Sequence, residues 1–590
     1  MKKLKELSHK ITYIIQEYPF VLLIAFATAV FFILAENTND DFYGKIGFVC
    51  MLGISLTFAL SILGQRLQKK YIFPPLGFLF LIGFYLYVFE NTSRDIDLFQ
   101  MIICAVTFLL SHLLVSFIAY YKNENETSFW EYNKTLFVNS ILTALFTLVL
   151  TLGINLAVLA IEKLFQVNFP SRLYFYILVF LGCFGSSIIF LLFTEKGLSS
   201  LEKPKEYPVV LKFFTQFILI PLLLIYGVIL YGYLIKIILE WDLPRGWVSY
   251  LVIAYSLVGI LALLLVHPLK EGSTKGWVQI FQRIFYYSLI PLIALLFTAI
   301  FRRVSDYGIT ENRYYVFLLA IWLTIITVYF IFRKKEHIAF IPKSLFVLGF
   351  LSLILPFFNV FTTSERSQLN EFKEILKNEK MMENGTLNFT KEIPHTVVKE
   401  LAEKVEFFQK RKKINLIKPI IGQKEQPTFD SIAKTRWFNQ KEFYALFTNI
   451  TSDNEQPSNA SIYVNNFDNQ IHSIKGFDYF YNNFSSLSYD TIVLENTQIS
   501  LNHKHSLLQL EFDQEGKQTI YDLRPFVNKT LLKYTPNGIR HETQDTIYHE
   551  FNFQDYHFKI LVQSINQNTY NDSLYYNVNG SLLIKKGNHD

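Results

Sequence analysis

Residues Leu136–Ile161 read LFVNSILTALFTLVLTLGINLAVLAI, twenty-six positions without one charged side chain. A bilayer's hydrocarbon core is about 30 Å thick and takes roughly 20 apolar residues as helix, because lipid offers backbone amides no outside partner. The stretch is therefore a membrane-spanning helix. Working outward, similar runs precede it at Pro19–Ala35, Ile46–Leu63, Tyr71–Phe89 and Leu98–Tyr121. Others follow at Leu173–Thr194, Leu211–Leu239, Trp247–Val266, Ile280–Ile300, Tyr314–Phe332 and Ser344–Val360. The run Leu211–Leu239 is long enough to tilt, or to break near Pro221. The last 230 residues hold no such run. The contrast predicts an all-α polytopic membrane bundle of about eleven helices at 1–360. A helical neck at 361–430 and a small β-rich, water-facing domain at 431–590 follow.

Composition agrees. The chain is 51% hydrophobic and 18% charged, against about 25% charged in a soluble protein. The net charge of +6 is no nucleic-acid signal, because the basic residues cluster in short connections between apolar runs, where they orient a membrane protein. With the N-terminus in the cytoplasm, twenty Lys and Arg fall in cytoplasmic segments and eight in the opposite ones, which places the C-terminal domain outside the cytoplasm. The basic Met1–Lys10 leads into an apolar run with no small-residue cleavage site behind it, so the first span is expected to be retained. Cys50, Cys104 and Cys183 all lie inside apolar runs, which excludes a disulfide framework and a Cys/His metal motif. No P-loop, dinucleotide fingerprint, GxSxG or HExxH appears, and no cofactor or metal is expected.

Beyond Thr362 the pattern changes. Ser364–Asn378 and Pro394–Lys412 carry helical spacing, with Val397, Leu401, Val405 and Phe408 on one face of the second. Short strand patterns follow at Ser461–Asn465, Thr491–Glu495, Leu507–Phe512, Thr546–Phe553 and Phe558–Ser564. Pro536–Gly538 reads as a turn, and Asn579-Gly580 as the turn of a final hairpin between Leu574–Val578 and Ser581–Ile584. An antiparallel, sandwich-like domain results.

One connection breaks the charge pattern. Residues 302–313, Arg-Arg-Val-Ser-Asp-Tyr-Gly-Ile-Thr-Glu-Asn-Arg, put three arginines on the translocated side. The part Arg303-Val-Ser-Asp-Tyr-Gly-Ile-Thr-Glu-Asn-Arg313-Tyr314 resembles the R-x-x-x-Y-G-x-T-x-x-R-Y element of a bacterial family, domain of unknown function 4153. Asn359-Val360 with Ser364-Glu-Arg-Ser367-Gln368 is similar to that family's N-V-S…S-Q-x-x-R-L junction, with Asn370 or Glu371 where the family has arginine. The resemblance covers Trp277 to Leu376 best and implies a multi-spanning bacterial membrane protein, with no activity attached. The inner (plasma) membrane is the expected location.

Arg302, Arg303 and Arg313 could form a fork for phosphate or carboxylate, because guanidinium binds such groups bidentately. Gly308 would allow the turn, while Tyr307 and Thr310 would donate hydrogen bonds. The ligand would be an anionic lipid head group or an envelope glycan phosphate. Alternatively, Asp306 and Glu311 pair with these arginines and staple two spans. His112 sits deep in its span, where an ionisable group is a functional candidate, unless Ser111, Ser116 or a neighbouring helix satisfies it. Asn139, Asn155 and Gln216 read as interhelical hydrogen-bonding glue. Asp40 and Asp41, with Glu36 in the first outward connection, could serve as catalytic base or metal ligand toward a lipid-linked substrate, or reflect the ordinary acidity of such a loop.

The leading expectation is a non-enzymatic envelope-binding scaffold. Its partners would be membrane lipids and, through the β-rich domain, a protein. An enzyme would need a cavity joining Asp41 to Arg303. A transporter would need a polar cavity near His112.

Overall fold

The computed structural model describes residues 2–587 apart from 39, 90–96, 123–124, 195–196, 205–206, 241–246, 269–274, 334–336, 384, 435–437, 439, 452–460, 467–472, 486–490, 495–496, 503–508, 515–516, 535–539, 554 and 571–572. The expected turn at Pro536–Gly538 lies outside the described residues. Two compact units emerge: Met1–Phe389 with Glu400–Phe447, and Thr390–Lys399 with Thr448–Asp590. The expected neck residues up to 389 and from 400 onward thus belong to the same unit as the spans.

The first unit opens with the amphipathic helix α1 (Lys2–Glu17), then α2 (Pro19–Thr38), α3 (Asp41–Arg66), α4 (Phe73–Phe89), α5 (Leu98–Phe117) and α6 (Glu126–Phe165). At 1.5 Å per residue α6 runs for about 60 Å, twice a hydrocarbon core. It extends beyond the apolar run because its first turns bury a Lys134–Glu131 ion pair under Trp130. Helices α7 (Arg172–Phe180) and α8 (Ser186–Phe193) are one rod joined by a π-helical segment, Leu181–Gly185. After α9 (Gly197–Leu201), α10 (Val209–Phe213) passes through a second π segment, Phe214–Leu219, into α11 (Ile220–Glu240). The irregularity falls just before Pro221, whose ring cannot accept the carbonyl four residues back in a regular helix.

Next come α12 (Trp247–Val266), α13 (Lys275–Tyr307), α14 (Glu311–Phe332) and α15 (Phe340–Ile354). The last was expected at Ser344–Val360. It ends earlier because Pro356 drives Leu355 out of the helical region (φ −60°, ψ 119°). Asn359 then caps α16 (Val360–Asn378), accepting from the amides of Phe361 and Thr362 at 3.0 and 2.8 Å. A two-residue-strand hairpin, β1 (Met382–Glu383) and β2 (Thr386–Leu387), precedes α17 (His395–Lys410), α18 (Gln426–Lys434) and α19 (Gln440–Tyr444). Among the described residues nine helices are long and apolar enough to cross a membrane, and α4 and α15 are shorter apolar helices. Packing holds them side by side: Ile24, Leu52, Leu81 and Ile103 join α2 to α5, and Leu230, Val252, Leu289 and Trp322 join α11 to α14.

In the second unit β3 (Ile393–Pro394) pairs with β4 (Ile450–Thr451). The six-stranded sheet takes β5 (Ser461–Asn466) and β6 (Tyr479–Ser485), and the four-stranded meander comprises β7 (Thr491–Leu494), β8 (Thr497–Asn502), β9 (Gln509–Gln514) and β10 (Lys517–Asp522). Helix α20 (Arg524–Tyr534) follows, then β11 (Arg540–Thr543), β12 (Tyr548–Phe553), β13 (Tyr556–Tyr570) and β14 (Ser573–Lys586), which complete the larger sheet in the order β11-β5-β13-β14-β6, with β12 also on β13. Pairing is antiparallel in both sheets except β11 on β5. Alternate residues Phe558, Ile560 and Val562 of β13 are buried in a core shared with Phe512, Leu582 and Val527 of the meander, β14 and α20.

One expectation fails here. Asn579-Gly580 is no hairpin turn, because β14 runs straight through it as a single strand. Gly580 sits at a register shift where a Cβ would stand 2.0 Å from the Leu561 carbonyl oxygen, so the glycine serves close strand approach rather than chain reversal.

Candidate functional site

The twelve-residue arginine connection is much tighter than the sequence suggests. Arg302 to Tyr307 form the last turns of α13, Glu311 begins α14, and only Gly308, Ile309 and Thr310 lie between. Gly308 takes the left-handed conformation (φ +71°) that ends a helix, and its amide donates to the Val304 carbonyl at 2.9 Å. A side chain there would be strained twice, since a Cβ would also meet Glu371 Cγ at 2.6 Å.

This turn is gripped by the second family-like segment. Gln368 Nε2 donates to the carbonyls of Tyr307 (2.9 Å) and Ile309 (3.1 Å), and Ser367 Oγ accepts from the Ile309 amide at 2.8 Å. Ser364 Oγ donates to Glu311 Oε1 at 3.1 Å. The two motifs read separately along the chain are halves of one assembly.

Its remaining parts come from α17 and the residue after it. Lys404 Nζ, buried, donates to the Tyr307 carbonyl and to Gln368 Oε1, both at 2.9 Å. Arg411 grips buried Glu311 through two hydrogen bonds of 2.5 Å, with its guanidinium 3.4 Å from the Phe407 ring centre. Arg313 Nη1 donates to the carbonyls of Gly308 (2.6 Å) and Tyr307 (3.2 Å). Cations at the C-terminal end of α13 and an anion at the start of α14 both complement the helix dipoles. Burial lowers the Lys404 ammonium below its ordinary value. Burial likewise raises the Glu371 carboxyl, against the opposing pull of Lys404.

Sequence reasoning missed Lys404 and Arg411. A signal existed: Lys404 lies three residues after Leu401 and next to Val405 on the buried face of its helix, where a lysine needs a partner.

The arginines part company. Arg302 pairs with Asp306 at 3.8 Å on the exposed side of α13. Arg303 and Arg313 flank the Tyr307 ring at 5.9 and 5.4 Å and both line a cleft of about 340 Å³ with Ser249, Tyr250, Thr310 and Asn312. No carboxylate is among the described residues lining it. Glu311 faces Arg411, away from the arginines of its own segment. Thr310 occupies the N-cap position of α14 without a side-chain capping bond, so its hydroxyl is not committed there.

Asp40 and Asp41 do not line this cleft. Asp40 caps α3, accepting from the Phe42 amide at 3.0 Å, and Asp41 occupies the first turn. Glu36 lies 3.8 Å from Arg172. His112 belongs to a separate cavity; its Nδ1 bonds the Phe108 carbonyl at 2.8 Å rather than Ser111 or Ser116. Asn139 Nδ2 bridges to the Phe193 carbonyl at 3.3 Å. Asn155 Oδ1 and Gln216 Nε2 have no hydrogen-bond partner among the described residues. No group of three or more His, Cys, Asp and Glu able to hold a metal occurs among the described residues.

The fold is that of a multi-pass membrane protein with a β-rich C-terminal unit. Residues 20–387 match the family model described as domain of unknown function (DUF4153), and the chain belongs to that family. An uncharacterized protein of Pasteurella multocida (strain Pm70) is 25% identical over 387 residues, 64% of this chain and 62% of that relative. The chain thus spans less than two thirds of the relative's length. No solved structure matches the chain.

Proposed function

We propose that the protein is a non-enzymatic scaffold of the bacterial inner membrane whose cleft between α12, α13 and α14 seats an anionic head group. The group is a phosphate or carboxylate borne by a membrane lipid or an envelope glycan. The observation that carries this reading is the charge of the cleft: among the described residues two guanidinium groups line it and no acid does. The acids of the same segment are engaged elsewhere, Asp306 by Arg302 and Glu311 by Arg411. Two like charges beside a partly dehydrated space repel, and a bound anion with two or three acceptor oxygens relieves them. Thr310, Asn312 and Ser249 supply neutral donors around the same space. The enzyme alternative finds less support, because no general base is among the described residues lining the cleft and Asp40 is spent as a helix cap.

The distribution of Lys and Arg supports a cytoplasmic N-terminus and an extracytoplasmic β-rich unit, the part that would meet a protein partner. An alkaline phosphatase fused after Asp590 should be active, and a cytosol-only reporter silent there. The ligand is tested with full-length protein in neutral detergent. Phosphatidylglycerol should raise the unfolding midpoint by a few degrees while phosphatidylcholine does not, and Arg303→Gln should remove the difference. Glycerol phosphate separates a free phosphate ligand from a lipid-borne one. Equal responses to both lipids, or an unchanged response in the variant, would overturn the reading.

A further inference from the structure

A second, larger space lies between α3, α5, α6 and the α7–α8 rod. It measures about 710 Å³, within the range of small-molecule sites. Apolar side chains such as Phe58, Phe108, Leu136 and Phe190 make most of its wall, and among the described residues no Asp, Glu, Lys or Arg contributes. A permanently charged occupant would lose its hydration with nothing to replace it. The occupant is therefore neutral.

The polar wall groups define its chemistry further. The Phe108 carbonyl can only accept, so His112 Nδ1 carries the hydrogen in their 2.8 Å bond. In a neutral imidazole that leaves Nε2 as an acceptor. Asn133 Nδ2 donates to the carbonyls of Ser116 and Phe129 at 3.1 and 3.0 Å, which leaves its Oδ1 accepting. Ser187 donates to the Cys183 carbonyl at 2.7 Å and Ser186 to that of Gly182, so both hydroxyls keep only lone pairs to offer. Every wall group whose donor is fixed presents an acceptor. Thr143 and Thr147 have hydroxyls without partners among the described residues and can take either role. The π-helical Leu181–Gly185 forms part of the same wall, and such bulges are frequent where a helix serves a ligand.

We infer that this cavity binds a neutral, lipid-soluble alcohol or phenol, whose O–H donates to His112 Nε2 and whose body fills the apolar wall. An acyl chain alone would leave the acceptors unmatched. The proposal is independent of the arginine cleft, which lies on other helices.

Purified full-length protein in nanodiscs would be photolabelled with a diazirine-bearing hexadecanol and with its methyl ether, which lacks the O–H. The alcohol should label residues 108–116, 140–147 or 182–191 roughly fivefold to tenfold more than the ether, as loss of one hydrogen bond implies. A diazirine-bearing phenol, run in parallel, tells a phenolic occupant from an aliphatic one. His112→Leu should bring the alcohol down to the ether's level, and His112→Gln should restore part of it. Ser140→Leu, which keeps the histidine but fills space, should lower both. Equal labelling by alcohol and ether in the wild type would show mere occupancy by lipid tails and overturn the inference. Labelling confined to other residues would do the same. Should His112→Leu fail to fold, the alcohol–ether ratio and the Ser140→Leu variant still decide.

Discussion

Two polar regions of the membrane unit are built on opposite rules. At the turn between α13 and α14, the Tyr307, Gly308 and Ile309 carbonyls, the Ile309 amide and the Glu311 carboxylate all have named partners at hydrogen-bond distance. At the His112 cavity, the His112, Asn133, Ser186 and Ser187 donors are satisfied by helix carbonyls and their acceptors are left facing space, while the Thr143 and Thr147 hydroxyls have no partner among the described residues. In surroundings that lack water, a completed network fixes geometry, whereas an incomplete one is available to a ligand. The arginine segment combines both: its carbonyl side is locked, and its guanidinium side faces a cleft. Removing a partner should therefore cost much at the turn and little at the cavity.

The largest effect is expected at Glu311. Glu311→Ala strands the buried Arg411 guanidinium and should destabilise the unit by about 3–5 kcal/mol, read as a lowered unfolding midpoint in detergent. The double change Glu311→Leu with Arg411→Met removes both charges and should recover most of that loss. A double variant no better than the single one would mean that the pair is more than a mutually neutralised contact. Gly308→Ala comes next, at about 1–3 kcal/mol, because the left-handed backbone and the Glu371 contact both oppose a Cβ. Its cost should fall when Glu371→Ala clears the space but not vanish, since the backbone strain remains.

Much of this architecture was legible in the chain, for physical reasons that also explain the misses. A run such as Leu136–Ile161 has one solution in lipid, so the spans were visible; the break expected near Pro221 is instead a π-helical segment through which the helix continues. The extra turns of α6 were hidden because Glu131 and Lys134 look like loop residues until they are seen to neutralise one another. Arg302, Ser305 and Asp306 suggested a long connection for the same reason, although they lie on the exposed side of a continuing helix. Asn579-Gly580 carries the chemistry of a tight turn, yet its glycine answers the nearness of a neighbouring strand. The alternative that paired Glu311 with its own arginines fails because its partner Arg411 lies one hundred residues away, a distance that local spacing does not reveal. Arg303 and Arg313 were named from local sequence alone, because the turn that holds them is itself local.

A smaller effect tests the locked side by pH. Glu371 lies among Lys404, Arg313, Glu374 and Glu400, and burial outweighs the two cations, so its folded carboxyl holds its proton to higher pH than the unfolded one. Its contribution is thus fully present below the ordinary carboxylate range and is lost as pH rises through the folded value. Glu371→Gln should raise the unfolding midpoint modestly at pH 7, and that advantage should shrink toward pH 4. An advantage that stays constant across this range would point to packing rather than to the charge.

The smallest effect belongs to the cavity and bears hardest on the comparison. Thr143 is buried and its hydroxyl has no partner among the described residues, so the folded unit already carries the cost of hiding a polar group. Thr143→Val keeps the shape and removes that cost. Stability should stay level or rise by up to about 1 kcal/mol. A comparable loss instead would mean that the hydroxyl is bonded after all, to water or to a resident molecule. The two are separable, because a resident molecule would make the wild-type midpoint fall on exhaustive delipidation while a water would not. Were the loss to survive delipidation unchanged, the cavity wall would be as fully satisfied as the turn, and the distinction between a locked region and a receptive one would disappear.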